Sequence, residues 1–500
     1  MDDLNSKAKR GIGVQIVRQF LIQGVNAVGG VLMARMLGPA EFGLYAVATF
    51  VVSATAMLGD FGLAPSFIQR REELTDRDLQ IGFTLQQVLI TGVVITLWFA
   101  APYLVELYPD PLPETVWLIR ALSFGLYLTA WRAMSAIQLE RHLQFGPMAR
   151  ADLAETVSFQ VIAVGLVLSG YGVWSFVWAT LIRGGLGAFL LYLVAPWPVR
   201  FAWDWSAVRS ILRYGVPFQF QSLCNSLGNW AVPTFVASAV GVQAVGYLTW
   251  SFGQGKRPLM LVDAVARVAY PHFSRAQGDR GLVEYLISRY LTVLLLVAGW
   301  WFVLLLTTGA PAVELVFTAK WLPAVPALVL VALAVAPDMA SWLLSVSLNA
   351  TGGLGYVTRL VLIRSLIVFP LSIAFAHLFG FNGAAIAYLL ASALMVPYCL
   401  LGFGRSFARR ISLDMVWVLV PVLAAIAAGF GVQGVASGLW ARTIGGTLAV
   451  TFAYAIAAYV SCPDWVRKQI RSVLLSRRFA RQVGTSGSQE EMIAKNDAGG

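Results

Sequence analysis

The chain has 500 residues, of which 58% are hydrophobic and only 12% charged, with a formal net charge of +11. A soluble domain is about 45–50% apolar and about 25% charged, so this composition excludes an ordinary water-soluble enzyme and places most of the chain in an apolar solvent. Cys224, Cys399 and Cys462 and His142, His272 and His377 are scattered without ligand spacing, so no metal, cofactor or disulfide framework is expected.

The polar start MDDLNSKAKR runs into an apolar stretch from about Gly11 to Leu37. That stretch is too long for a signal-peptide core and lacks a small-residue cleavage site, so it reads as the first membrane helix. Apolar runs of roughly 20 residues, enough to cross about 30 Å of hydrocarbon, then recur along the chain. About 14 spans are predicted, starting near Gly11, Phe42, Leu79, Glu114, Pro147, Val173, Val208, Ala244, Glu284, Pro323, Thr358, Asn382, Leu413 and Leu439. The runs are continuous rather than alternating, which predicts an all-α integral membrane protein and not a barrel.

Positive charge alternates between loops. Lys7, Lys9 and Arg10, then Arg70, Arg71 and Arg77, Arg141 and Arg150, Arg200, Arg209 and Arg213, Arg275, Arg280 and Arg289, Arg359 and Arg364, and Arg405, Arg409 and Arg410 fall on one side, with the basic tail after Cys462. The intervening loops are nearly bare, with Arg35, Lys320 and Arg442 near that side. The positive-inside rule puts both termini in the cytoplasm and accounts for the net charge without nucleic acid. The tail is expected to be a basic surface helix followed by disorder to Gly500.

An offset of 203 residues superposes Arg10 on Arg213, Asn26 on Asn229, Gly38 on Gly241, Gly43 on Gly246 and Asp60 on Asp263. Polar residues are rare in spans, which makes these matches informative. Six spans separate the copies, so both enter the membrane in one direction. This predicts a six-helix lobe over 1–200, a second over 201–403, related by a pseudo-two-fold along the membrane normal, two additional helices over 404–461 and a tail over 462–500.

Intramembrane charge costs at least about 2.5–3.5 kcal/mol on insertion scales and marks candidate sites. Arg18 lies in the first span, Arg132 in the fourth and Arg183 in the sixth. The eighth carries SFGQGKRPLMLVDAVAR, with Lys256 and Arg257 framed by Gly253, Gly255 and Pro258, where a kink is expected. Arg18, Lys256 and Arg257, with Arg132 and Arg183, are the candidate substrate-binding cations of a basic cavity for a diphosphate or acidic sugar. Asp152, Glu155 and Arg150 read as interfacial, and Asp263 with Arg267 as an ion pair one turn apart. The repeat-related Asp60 and Asp263 are candidates for ion coupling, set against helix termination and pairing with nearby arginine.

Three short motifs lead nowhere catalytic. Asp76-Arg77-Asp78 matches an acidic metal–nucleotide pair, but Thr75 three residues before Asp78 is better read as a helix N-cap. Asp60-Phe61-Gly62 has no kinase framework around it. Gly255-Lys256 lacks the rest of a phosphate-binding loop.

The stretches ARMLGPAEFGLYAVATF (34–50), GDFGLAPSFIQR (59–70), LTDRDLQ (74–80), GYGVWSFV (170–177), YPHFSRAQGD (270–279) and VFTAKWLPAVPALVLVAL (316–333) resemble, in family order, the polysaccharide biosynthesis or Wzx-type flippase branch of the MOP superfamily. The resemblance implies a two-lobed, non-enzymatic transporter in the bacterial inner membrane. It would move an undecaprenyl-diphosphate-linked sugar unit for O-antigen, capsule or exopolysaccharide assembly. It also implies that basic residues of the first and eighth helices face the cavity, the helices that hold Arg18 and Lys256–Arg257. Expected partners are the lipid-linked substrate, membrane lipid and a glycan polymerase or other assembly protein. A multidrug or small-solute antiporter of the same superfamily and a membrane-embedded glycan polymerase or ligase are the competing readings.

Overall fold

The computed structural model describes residues 21–60, 62–70, 72–108, 112–213, 238–404 and 415–462, with isolated positions between and beyond them. Every regular element among the described residues is helical. In chain order they are α1 (Leu21–Met36), α2 (Pro39–Asp60), α3 (Leu63–Gln69), α4 (Asp76–Glu106), α5 (Pro113–Ser123), α6 (Gly125–Arg141), α7 (Phe145–Leu168) and α8 (Trp174–Val194). After these come α9 (Val242–Gly255), α10 (Met260–Arg275), α11 (Arg280–Phe317), α12 (Val325–Ala350), α13 (Leu354–Phe379), α14 (Phe381–Phe403), α15 (Leu419–Val435) and α16 (Gly446–Ser461).

Ten helices among the described residues are long and apolar enough to cross a membrane. They begin near ten of the predicted span starts. The predicted span at Gly11 is described from Leu21 on, as α1, and most of the predicted span at Val208 lies outside the described residues. The other two are interrupted helices. The span at Glu114 divides into α5 and α6 at Phe124, and the span at Ala244 divides into α9 and α10.

The second break is where the glycines and proline of the sequence predict it. Pro258 has no N–H to donate, so the chain tightens into a 3-10 turn over Arg257–Leu259 and Leu259 N–H donates to the Lys256 carbonyl. The Gly255 carbonyl, released from the helical ladder, accepts instead from the Trp301 indole at 2.9 Å. A buried backbone acceptor in an apolar surround needs such a partner.

Thr75 caps α4 as predicted. Its hydroxyl accepts from Asp78 N–H, and the Asp78 carboxylate accepts from the Thr75 N–H, a reciprocal capping box. Arg141, at the end of α6, donates to the carbonyls of Phe67, Arg70 and Glu72, so a predicted surface cation also closes the C-terminus of α3.

Apolar packing forms a main core in each half, with smaller clusters joining the two. One gathers Leu44, Ala48, Leu97, Leu118 and Val177 from α2, α4, α5 and α8. Another gathers Phe273, Ile287, Leu294, Leu343 and Met395 from α10, α11, α12 and α14. The halves meet along α2 and α9. A Cβ at Gly43 would overlap the Val242 carbonyl oxygen, and a Cβ at Gly246 would overlap the Pro39 carbonyl oxygen. Val242 is Pro39 displaced by 203 residues, and Gly246 is Gly43 displaced by the same 203. The two contacts are therefore one contact made twice with the partners exchanged, the pattern of an isologous two-fold interface. Absent side chains let the two backbones approach this closely.

Nearby, Lys320 donates to the Arg35 carbonyl at 2.7 Å and Trp321 to the Ala34 carbonyl at 2.7 Å. Arg35 in turn donates to the Leu315 and Val316 carbonyls, each at 3.3 Å. Each half thus closes carbonyls at a helix C-terminus of the other with a cation. These are charges that the sequence places beside the loops bare of positive charge.

Candidate functional site

Two cavities flank α2. The larger, about 570 Å³, is lined by Phe50 of α2, Phe252 and Lys256 of the broken helix, Ser345 and Asn349 of α12, Arg364 of α13 and Tyr388 of α14, among others. The smaller, about 410 Å³, is lined by Tyr45, Thr49 and Ser53 of α2, Thr129 and Arg132 of α6, Asp152 and Glu155 of α7, and Thr180 and Arg183 of α8. Tyr45, Thr49 and Ser53 recur every fourth residue and share one face of α2. Both volumes fall within the roughly 300–1,000 Å³ usual for ligand pockets.

The larger cavity is organised around Asp338, the lone carboxylate of α12, whose side chain is buried. Arg364 holds it at 2.8 Å, Ser392 donates to it at 2.8 Å, and the Tyr388 hydroxyl also donates to it. Tyr388 works on both sides. Its hydroxyl is committed to Asp338 while its ring lies under Lys256, whose ammonium is 3.9 Å from the ring centroid and 4.4 Å from that of Phe252. Among the described residues Lys256 meets no carboxylate within ion-pair distance. Its charge rests on two aromatic faces, which stabilise a cation without neutralising it. Among the described residues one carboxylate stands against Lys256 and Arg364, which leaves this site an excess positive charge.

The smaller cavity is built differently. Arg132 donates Nη2 to Asp152 at 2.6 Å and Nε to Glu155 at 2.8 Å, and Arg183 reaches Glu155 at 3.9 Å. Arg183 also lies over Phe159, 5.6 Å from its centroid. Among the described residues two guanidiniums thus face two carboxylates, and their charges balance. Hydroxyls fill much of the remaining wall. Tyr45 and Thr180 share a hydrogen bond of 3.0 Å, and Thr129 donates to the Gly125 carbonyl at 2.9 Å.

The predicted site residues separate into three groups. Lys256 lines the larger cavity, whereas Arg257, its neighbour, is exposed and donates to Gln254 at 2.8 Å instead of entering either cavity. The break of the helix turns consecutive residues to different sides. Arg132 and Arg183 line the smaller cavity, but with Asp152 and Glu155, which the sequence reading placed at the interface and away from the site. Pairing with Arg132 draws these carboxylates inward. Arg18 lies outside the described residues, as do the side chains of Asp60, Asp263 and Arg267.

Sequence reading missed Asp338, Arg364 and Tyr388. The sequence groups Arg364 with a positive loop, whereas it sits within α13, nearly three turns from its start at Leu354. Asp338 did carry a signal, because it is the only charged residue in the apolar run of α12.

Residues 32–326 match the family described as polysaccharide biosynthesis protein. The chain belongs to this family. Among its relatives, the succinoglycan biosynthesis transport protein ExoT of Rhizobium meliloti (strain 1021) is 26% identical over 337 residues, 65% of this chain and 65% of ExoT. The lipopolysaccharide biosynthesis protein WzxC of Escherichia coli (strain K12) is 24% identical over 346 residues, 65% of this chain and 66% of WzxC. The chain thus matches just under two thirds of the length of each. In fold, the lipid II flippase MurJ in an inward closed conformation matches with a TM-score of 0.75 at 17% identity, covering 92% of this chain and all of MurJ. An inward-facing multidrug resistance MATE transporter of the MOP superfamily matches with a TM-score of 0.57 at 18% identity, covering 80% of this chain and 98% of the transporter. The chain thus shares its helical fold with these two structures, and its relatives are named for succinoglycan transport and lipopolysaccharide biosynthesis.

Proposed function

We propose that the protein is a flippase that moves an undecaprenyl-diphosphate-linked oligosaccharide unit from the cytoplasmic to the periplasmic leaflet of the bacterial inner membrane. The unit would feed O-antigen, capsule or exopolysaccharide assembly. The observation that carries this reading is Lys256, a cation held over Tyr388 and Phe252 at a helix break in a cavity with excess positive charge. Such a charge in an apolar surround is expensive unless it serves an anionic ligand. A diphosphate supplies that anion, and Lys256, beside Arg364, supplies donors that match phosphate oxygens. Arg18 and Arg257 remain candidates to meet the diphosphate at other stages of the cycle.

Two six-helix lobes over 1–200 and 201–403, with two further helices over 404–461, would rock about the α2–α9 contact. The close approach at Gly43 and Gly246 lies at the loops bare of positive charge. It is the seal on the periplasmic side, and the cavities serve the cytoplasmic side in this conformation. The polyprenyl tail stays in lipid throughout. Asp60 and Asp263 are the repeat-related candidates for ion coupling.

The test is to delete the gene and compare where lipid-linked glycan accumulates, with periplasmic labelling of spheroplasts and mass spectrometry. Single units held on the cytoplasmic leaflet are expected, and complementation by a correctly inserted Lys256→Ala protein should fail. Units that reach the periplasm unpolymerised would instead assign a polymerase or ligase. No accumulation would favour the antiporter. Normal export with Lys256→Ala would remove that residue from the site.

A further inference from the structure

We infer that the smaller cavity, between α2, α6, α7 and α8, is a saccharide subsite distinct from the diphosphate subsite at Lys256. This inference rests on the flippase reading. Its physical basis is the contrast between the cavities. An anion favours net positive charge, and among the described residues Asp152 and Glu155 offset the charges of Arg132 and Arg183 in this wall. A sugar has the opposite requirement. Each hydroxyl is both donor and acceptor, so its pocket must offer both kinds of group close together.

The smaller cavity offers both. Carboxylate oxygens accept, guanidinium N–H groups donate, and the hydroxyls of Tyr45, Thr129 and Thr180 do either. Arg183 remains 47% exposed and only loosely paired, at 3.9 Å, so it can turn toward a ligand at little cost. The Arg132 pair to Asp152 and Glu155 is shorter and holds the acceptors in place. Placement agrees with the chemistry of a diphosphate-linked sugar. Phe50 lines the larger cavity, while Thr49 and Ser53 of the same turn of α2 line the smaller one. A ligand anchored by its diphosphate at Lys256 would extend past this turn and present its first sugars to the balanced pocket.

The experiment measures binding of two probes to the purified full-length protein in nanodiscs: a polyprenyl diphosphate, and the same lipid carrying one hexose. The wild type should bind the hexose-bearing lipid about tenfold more tightly, the worth of one or two net hydrogen bonds. Thr129→Val with Ser53→Ala, and separately Arg183→Leu, should erase that increment and leave affinity for the sugar-free lipid within twofold. Lys256→Ala should weaken both probes together. An increment that survives both cavity changes, or their equal loss of both probes, overturns the saccharide subsite. Equal wild-type affinity for the two probes overturns it as well, while leaving the flippase reading intact. Failure of the wild type to bind either probe overturns the flippase reading and the subsite with it.

Discussion

The cavities on either side of α2 draw on the same side-chain types and reach opposite electrostatic ends. In the N-terminal half, Arg132 and Arg183 meet Asp152 and Glu155, all partly accessible from the cavity, and the charges cancel. Among the described residues of the larger cavity, one buried carboxylate, Asp338, is enclosed by Arg364, Tyr388 and Ser392, and Lys256 is left over with its charge on aromatic rings. Counting arginines would have ranked the first cavity the more basic. The position of the carboxylates decides otherwise, because what a ligand feels is the balance of a wall and not its inventory of cations.

The contrast is broken most severely at its most buried point. Asp338→Ala unpairs Tyr388 and Ser392 as well as Arg364, and because Arg364 is itself 34% exposed the cost should be about 2–3 kcal/mol, below the roughly 3–5 kcal/mol of a fully buried pair. The equivalent change in the other cavity, Asp152→Ala, should cost under about 1 kcal/mol, because Arg132 keeps Glu155 as a partner. Thermal unfolding of the two detergent-solubilised variants checks this, and equal losses would mean that the cavities do not differ in burial as the structure has them.

The symmetric seal comes next. Gly43→Leu and Gly246→Leu each force a side chain onto a facing backbone carbonyl, at about 1–3 kcal/mol of overpacking. Because the two contacts are related by exchange, both changes should raise labelling of a cysteine placed nearby at Val242 or Pro39 to a similar degree. An effect from only one of them would break the two-fold relation.

Smaller still is a change of one charge. Glu155→Gln leaves two guanidiniums against one carboxylate. Because the diphosphate is held at Lys256 and not at this wall, affinity for a sugar-free polyprenyl diphosphate should stay within twofold. A gain of roughly fivefold, the worth of about 1 kcal/mol for one unit charge at contact in water, would mean that the diphosphate enters this cavity. Thr75→Ala, outside both cavities, removes a cap worth roughly 0.5–1 kcal/mol and should leave binding of both lipids untouched. A change in binding on its account would tie the α4 entry to the site.

Much of this architecture is written in local signals. The polar-to-apolar ratio and run lengths report membrane helices because hydrocarbon penalises each exposed backbone group separately. Gly253, Gly255 and Pro258 foretell the break at Lys256 because proline's missing donor is a property of one residue. Thr75 foretells its capping box within four residues. The offset of 203 pairs Gly43 with Gly246 before any coordinate is known.

The partners of each charge were not legible in the same way. Arg364 looks like a loop cation by position, yet its carboxylate, Asp338, is 26 residues earlier and on another helix. Lys256 and Arg257 are neighbours in sequence and part at the helix break. Asp152 and Glu155 lie near a helix start and look interfacial until Arg132, about 20 residues before them, is seen to draw them in. By itself the sequence determined the solvent, the helices, the break and the family resemblance, since each depends on residues close in the chain. Tertiary structure alone decided that Lys256, among the described residues, stands apart from any carboxylate, because charge in a low-dielectric wall is set by distances across helices that sequence spacing does not encode.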